Sequence, residues 1–147
     1  MKLKVAWIGK TKEPSIQALT DEYLKRISRY AEVEGVALMD EEALLKWREK
    51  TGSRPAHALV LFDGRGRQLS SEEFAQFLQN HTDRNPQPLV LAIGPANGFQ
   101  ESSRKLAAAV ISFGKMTLPH ELARIVLLEQ VYRALTILKG HPYHRGH

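Results

Sequence analysis

The stretch Leu89-Val90-Leu91-Ala92-Ile93-Gly94-Pro95-Ala96-Asn97-Gly98 decides the fold. Five apolar residues in a row, without alternation, suit a strand covered on both faces. The glycine-containing turn that follows lets a ligand come close to the main chain. Two runs of the same kind lie upstream. Ala58-Leu59-Val60-Leu61-Phe62 stops at Asp63-Gly64-Arg65-Gly66, and residues 3–8 stop at Gly9. Val33–Met39 is bounded like a strand, and a short run over Val110–Phe113 completes the set.

Helices fill the spaces between these runs. Ser15 is read as the cap of a helix reaching about Arg29, with Ile16, Leu19, Tyr23, Leu24 and Ile27 at helical spacing. Glu41–Lys50 forms a second helix carrying Leu44, Leu45 and Trp47, ended by Thr51-Gly52-Ser53-Arg54-Pro55. Ser70 and Glu73 have the spacing of a capping box for Phe74–Gln79. Glu101–Ala109 and a long segment from Pro119 to Lys139 are the last two helices. Strand and helix alternate throughout, so residues 1–147 are expected to form a single α/β domain with a mainly parallel sheet and helices on both faces. Ligands in such sheets bind beyond the carboxyl ends of the strands, where the loops starting at Gly9, Asp63, Gly94 and Gly114 would lie.

The last helix has a further property. Leu122, Ile125, Val126, Leu127, Leu128, Val131, Leu135, Ile137 and Leu138 circle it instead of forming one stripe. One face can meet the sheet and another a second copy, so a homodimer through this helix is expected.

Charge is unevenly placed. Residues 102–147 hold seven bases and two acids, whereas residues 1–101 hold fourteen of each, so the whole net charge of +5 sits in the last third. His120, His141, His144 and His147 lie there as well. A basic segment beside a glycine turn favours a nucleic-acid partner over a merely solvated face. There is no cysteine, which fits a reducing, cytoplasmic setting, and no apolar run long enough for a signal segment or a membrane span.

Several motifs are missing. Gly94–Gly98 lacks the G-x-G-x-x-G spacing, no G-x-x-x-x-G-K-[ST] follows a strand, and G-x-S-x-G does not occur. A receiver domain would want acids after the first strand, where Lys10 and Lys12 stand. His141-x-x-His144-x-x-His147 has Pro142 inside it, which forbids a continuous helix, and no metal site is expected. Asp63 before Gly64 reads most simply as a turn former.

The series Gly94, Asn97-Gly98, then Phe113-Gly114-Lys115-Met116-Thr117-Leu118-Pro119-His120, Arg124, Glu129-Gln130-Val131-Tyr132-Arg133-Ala134 and His141-Pro142-Tyr143-His144-Arg145 resembles the ribosomal RNA large subunit methyltransferase H family. These are small bacterial members of the SPOUT class of knotted methyltransferases. The resemblance spans the chain, including Lys4-Val5-Ala6-Trp7-Ile8-Gly9-Lys10 and Leu61-Phe62-Asp63-Gly64. It implies a SPOUT-type fold with a carboxy-terminal trefoil knot, and a homodimer. The implied activity is transfer of a methyl group from S-adenosylmethionine to N3 of a pseudouridine in 23S rRNA, on the assembled ribosome.

Family cofactor positions fall on Phe62, Gly94, Phe113, Gly114, Lys115, Met116, Thr117 and Leu118. On the residues alone, Met116 and Leu118 would be core. Methyl transfer needs positioning and a dry pocket more than covalent help. The N3 proton must leave, and histidine suits a general base, which draws attention to His120, His141 and His144. The alternative is ionisation of the imide to solvent. Tyr143 is a candidate to stack on the target base, and Arg124, Arg133 and Arg145 to grip RNA. The other reading of the tail is a frayed terminus. Where the family usually shows a second glycine, Pro95 stands, which removes an N–H. A non-catalytic RNA-binding or ribosome-associated module of the same fold is the competing function; an enzyme using another nucleotide ranks last.

Overall fold

A computed structural model describes residues 1–49 and 57–145. In chain order these form β1 (Lys2–Ile8), α1 (Pro14–Ile27), β2 (Glu32–Leu38), α2 (Glu41–Glu49), β3 (Ala58–Gln68), α3 (Ser71–Arg84), β4 (Leu89–Ile93), α4 (Glu101–Leu106), β5 (Ala109–Ser112) and α5 (His120–Lys139). The expected helix end at Lys50, the break over residues 51–55 and His147 lie outside the described residues.

The strands make one sheet in the order β2-β1-β4-β3-β5, and every pairing is parallel. Its centre is in register, with Val5 opposite Leu91 and Leu91 opposite Val60. Alternate residues of the buried strands feed two cores. Val5, Trp7, Val60, Phe62, Leu89, Leu91 and Ile93 pack with Ile27, Phe74, Leu78, Leu127, Leu128 and Val131 from α1, α3 and α5. Ala6, Leu59, Leu61, Val90 and Ala92 pack on the opposite face with Leu44 of α2 and Phe99. This division follows from the hand of parallel crossovers: steps toward the β2 edge pass through α1 and α3, and steps toward the β5 edge through α2 and α4.

Local chemistry sets the helix ends. Ser70 accepts from the Glu73 amide (3.0 Å) and Glu73 accepts from the Ser70 amide (2.8 Å), completing the expected capping box. α5 ends at Gly140, φ 71°, with the amides of Gly140 and His141 turned back to Ile137 and Thr136. The expected Ser15 cap is corrected: Pro14 opens α1 behind Glu13, because proline's missing N–H costs nothing in the first turn. α4 also stops three residues earlier than expected.

A larger correction concerns β3. The sequence reading ended it at Phe62, but the strand continues to Gln68. Phe62 and Arg67 both lie opposite Ile111, so the intervening residues bulge out before pairing with β5 resumes. Gly66 permits this return: a Cβ there would sit 2.5 Å from the Val110 carbonyl group. No helix among the described residues is long and apolar enough to cross a membrane.

Candidate active site

Beyond the carboxyl ends of β4 and β5, beside the bulge of β3, lies a cleft of about 290 Å³. Residues 62–65, 93–98 and 112–118 line it, with His120 and Ala123 from the start of α5. All eight residues expected at a cofactor are therefore brought together: Phe62, Gly94, Phe113, Gly114, Lys115, Met116, Thr117 and Leu118. Phe62 and Phe113 stack with ring centres 5.0 Å apart and planes 19° off parallel, giving the cleft an aromatic wall. Met116 is 87% exposed, so the core reading of that residue does not hold.

The loop after β4 is built from outside itself. Asp63, whose side chain is 2% exposed, accepts from the Arg65 amide, Nε and Nη2 (2.9, 3.0 and 3.0 Å) and from the Phe99 amide (2.8 Å). Burial alone would raise this carboxyl; the bonds from Arg65 and Phe99 overcome it and hold the pKa at about 2. Arg65 also donates to the Phe99 carbonyl (3.0 Å), and Glu41 of α2 accepts from the Gln100 amide and the Ser103 hydroxyl at the start of α4. Within the loop, the Gly98 amide donates to the Pro95 carbonyl (2.9 Å), a turn that never needed the N–H that proline lacks. Sequence reasoning missed this clamp. The signal for a carboxylate with an arginine two residues on is weak until the chain brings Phe99 to it.

A family model described as "Predicted SPOUT methyltransferase" matches residues 1–144. This chain belongs to the SPOUT methyltransferase family. It is 60% identical, over the full length of both chains, to the ribosomal RNA large subunit methyltransferase H of Koribacter versatilis (strain Ellin345). The protein of the same name from Geotalea daltonii is 45% identical, with 98% of this chain and 99% of that one covered. Among solved structures, the SpoU methyltransferase AviRb of Streptomyces viridochromogenes, described in complex with AdoMet, matches with a TM-score of 0.53 at 16% identity. That match covers 90% of this chain and 57% of AviRb. A tRNA (m1G37) methyltransferase from Aquifex aeolicus matches with a TM-score of 0.57 at 15% identity, covering 90% of this chain and 70% of that one. These two likenesses establish the fold.

In this SPOUT methyltransferase the remaining expected site residues do not all meet. His120 lines the cleft, but His141, Tyr143 and His144 lie on the tail, where Tyr143 and His144 are docked on α5 and α3. The Tyr143 hydroxyl donates to Glu129 Oε2 (2.9 Å), and its ring meets Tyr132 edge-on at 4.8 Å with Arg133 5.1 Å from its centre. Burial, then the bond to Glu129, pushes the phenol well above its ordinary value. Arg133 is bidentate on Glu129 (3.2 and 2.7 Å), and His144 Nε2 lies 2.8 Å from Glu72. Arg145 is exposed.

Arg124 is the clear correction. It has no exposed surface: its guanidinium lies 4.1 Å from the centre of the Trp7 ring, and Nη1 donates to Thr11 Oγ1 (2.7 Å) and Thr20 Oγ1 (3.3 Å). Burial pushes its pKa down against the pull of Glu121. A side chain enclosed in this way cannot grip RNA from the surface. Among the described residues no three His, Cys, Asp or Glu side chains are grouped to hold a metal.

Proposed function

We propose that this chain transfers the methyl group of S-adenosylmethionine to N3 of a pseudouridine in 23S rRNA, as a homodimer acting on the ribosome in the cytoplasm. The observation that carries the reading is the convergence of the 93–98 and 112–118 loops on one cleft, in a chain of the SPOUT family. Full-length relatives named for large-subunit rRNA support the RNA class. The pseudouridine and its N3 rest on the motif resemblance, as does a trefoil knot. Knotting is supported by the path from edge strand β5 back across the strand ends to α5, which packs between α1 and α3. A second copy would cover Leu122, 48% exposed, beside the half-buried Ile125 and Val126 of α5.

The residues present fit the proposed cofactor. The stacked Phe62 and Phe113 supply an apolar wall, and the turns at Gly98 (φ 83°) and Gly114 (φ 130°), with no side chain in the way, let a ligand approach the main chain of both loops. Held there, S-adenosylmethionine supplies an electrophilic sulfonium methyl group. The chain's task is then alignment and exclusion of water. His120 is the one expected base that lines the cleft, and we assign it the imide proton of the target base; general-base catalysis of this kind contributes about 10²–10⁴-fold.

The test is transfer of labelled methyl to ribosomes and to free 23S rRNA from cells lacking the modification, with mass spectrometry of the nucleosides. N3-methylpseudouridine is the expected product. A protein that binds RNA but no S-adenosylmethionine would instead be the non-catalytic module.

A further inference from the structure

The positive charge of the last third is less available than its sequence suggests. Arg124 is enclosed and Arg133 is held by Glu129. The free cations beside the cleft come mainly from the other end of the chain. After β1, Lys10 and Lys12 stand exposed on the loop leading to α1. That loop is pinned to α5 twice: the Lys12 amide donates to Glu121 Oε1 (2.6 Å), and Arg124 reaches Thr11. Glu121 and Arg124 each directly follow a cleft-lining residue, His120 and Ala123. The loop that carries the two lysines is therefore fixed beside the first turn of α5, which borders the cleft through His120 and Ala123, and Lys115 of the 112–118 loop, also exposed, lines the cleft itself.

Among the described residues the ammonium groups of Lys10, Lys12 and Lys115 make no ion pair, whereas Lys46 and Lys105 are each paired with a glutamate on their own helix. The acids nearby are largely committed: Glu121 to the Lys12 amide and Asp63 to Arg65, leaving Glu13 exposed. Enclosing Arg124 without a carboxylate, its Nε unpartnered among the described residues, is unfavourable, and a firmly placed β1–α1 loop is the visible return.

We propose that Lys10 and Lys12, held in place through Arg124 and Glu121, form with Lys115 a phosphate-gripping rim that seats RNA over the cleft. The rim rests on the methyltransferase reading and extends it to where the RNA backbone runs. Ammonium groups act on phosphates as point charges, so this grip is insensitive to base sequence and sensitive to salt.

The test pairs Lys10→Gln/Lys12→Gln with a control of equal charge, Lys2→Gln/Lys25→Gln. Lys2 opens β1 and Lys25 lies in the last turn of α1, so both sit at the opposite, amino-terminal end of the sheet. Binding of the unmodified 23S rRNA is measured against salt, alongside binding of S-adenosylmethionine. The rim pair is expected to weaken RNA binding about tenfold and to lower the salt slope by about 1–2, with cofactor affinity unchanged. The control pair is expected to change RNA binding less than twofold. Equal effects from both pairs, or no RNA binding by the wild type, would overturn the rim. A wild type that binds RNA but transfers no methyl to it would sink the methyltransferase reading, while the two pairs would still decide the rim.

Discussion

Four donors reach the two oxygens of Asp63: three from Arg65 in the bulge of β3 and one from Phe99 in the segment before α4. Replacing it as Asp63→Asn puts an amide among donors and should cost about 1–3 kcal/mol in urea unfolding at pH 7. The pH dependence has a definite sign. With a folded pKa of about 2 against an ordinary 3.8, the carboxylate stabilises the fold above about pH 4, and the contribution is lost as pH falls toward 2. Its size is about 1–2 kcal/mol, allowing for the half-exposed Arg65. The wild type should lose that much more between pH 4 and 2 than Asp63→Asn; equal losses would contradict the assignment. Gly98 faces the same pair. A Cβ there would lie 2.4 Å from Arg65 Nη2 and 2.6 Å from Asp63 Oδ2, at φ 83°, so Gly98→Ala should cost about 2 kcal/mol or more and weaken cofactor binding measured by calorimetry. Pro95→Gly keeps the carbonyl that the turn uses, and its cofactor affinity should stay within about threefold of wild type.

At the scale of elements, α5 and its tail form one unit. Leu127, Leu128, Val131 and Leu135 are buried in the main core, each contributing about 1.5–3 kcal/mol, while the tail adds one half-buried ring, Tyr143 against Tyr132, and polar contacts to Glu129 and Glu72 at the core's margin. The two parts should therefore separate. A chain ending at Gly140 is expected to keep its circular dichroism spectrum and its affinity for S-adenosylmethionine, and to lose transfer to RNA; retained transfer would show the tail to be dispensable. The helix itself was readable from its apolar residues, and the capping box of α3 from two side chains, because both depend on neighbours in sequence. The continuation of β3 was not, since a glycine-rich bulge has the composition of a turn until β5 lies beside it.

At the scale of the molecule, helices cover both faces of the sheet, and the large apolar side chains left exposed among the described residues are spread over Leu19, Met39, Leu106, Phe113, Met116 and Leu122; of these, Leu122, 48% exposed, stands on α5 beside the half-buried Ile125 and Val126. Sedimentation at micromolar concentration should show a dimer, and Leu122→Glu should shift it toward monomer without unfolding it. A monomeric wild type would remove the dimer from the proposal.

By itself the sequence determined the α/β class and the parallel sheet, because apolar runs and glycine turns are local properties, and its motif resemblance pointed to the family and to the residues that meet in the cleft, two of which, Met116 and Leu118, local pattern alone would have put in the core. The tertiary structure alone decided the fate of Arg124 and of the β1–α1 loop, whereas the pairing of Arg133 with Glu129, four residues earlier on the same helix, is within reach of the sequence. Arg124 looks as available as Arg133 in sequence, yet it is enclosed over Trp7, while Lys10 and Lys12 stand exposed on the loop that Arg124 and Glu121 hold. Whether a charge meets solvent, a ring or a carboxylate depends on residues a hundred positions away, as with Arg124 and Thr11, and only folding brings them together.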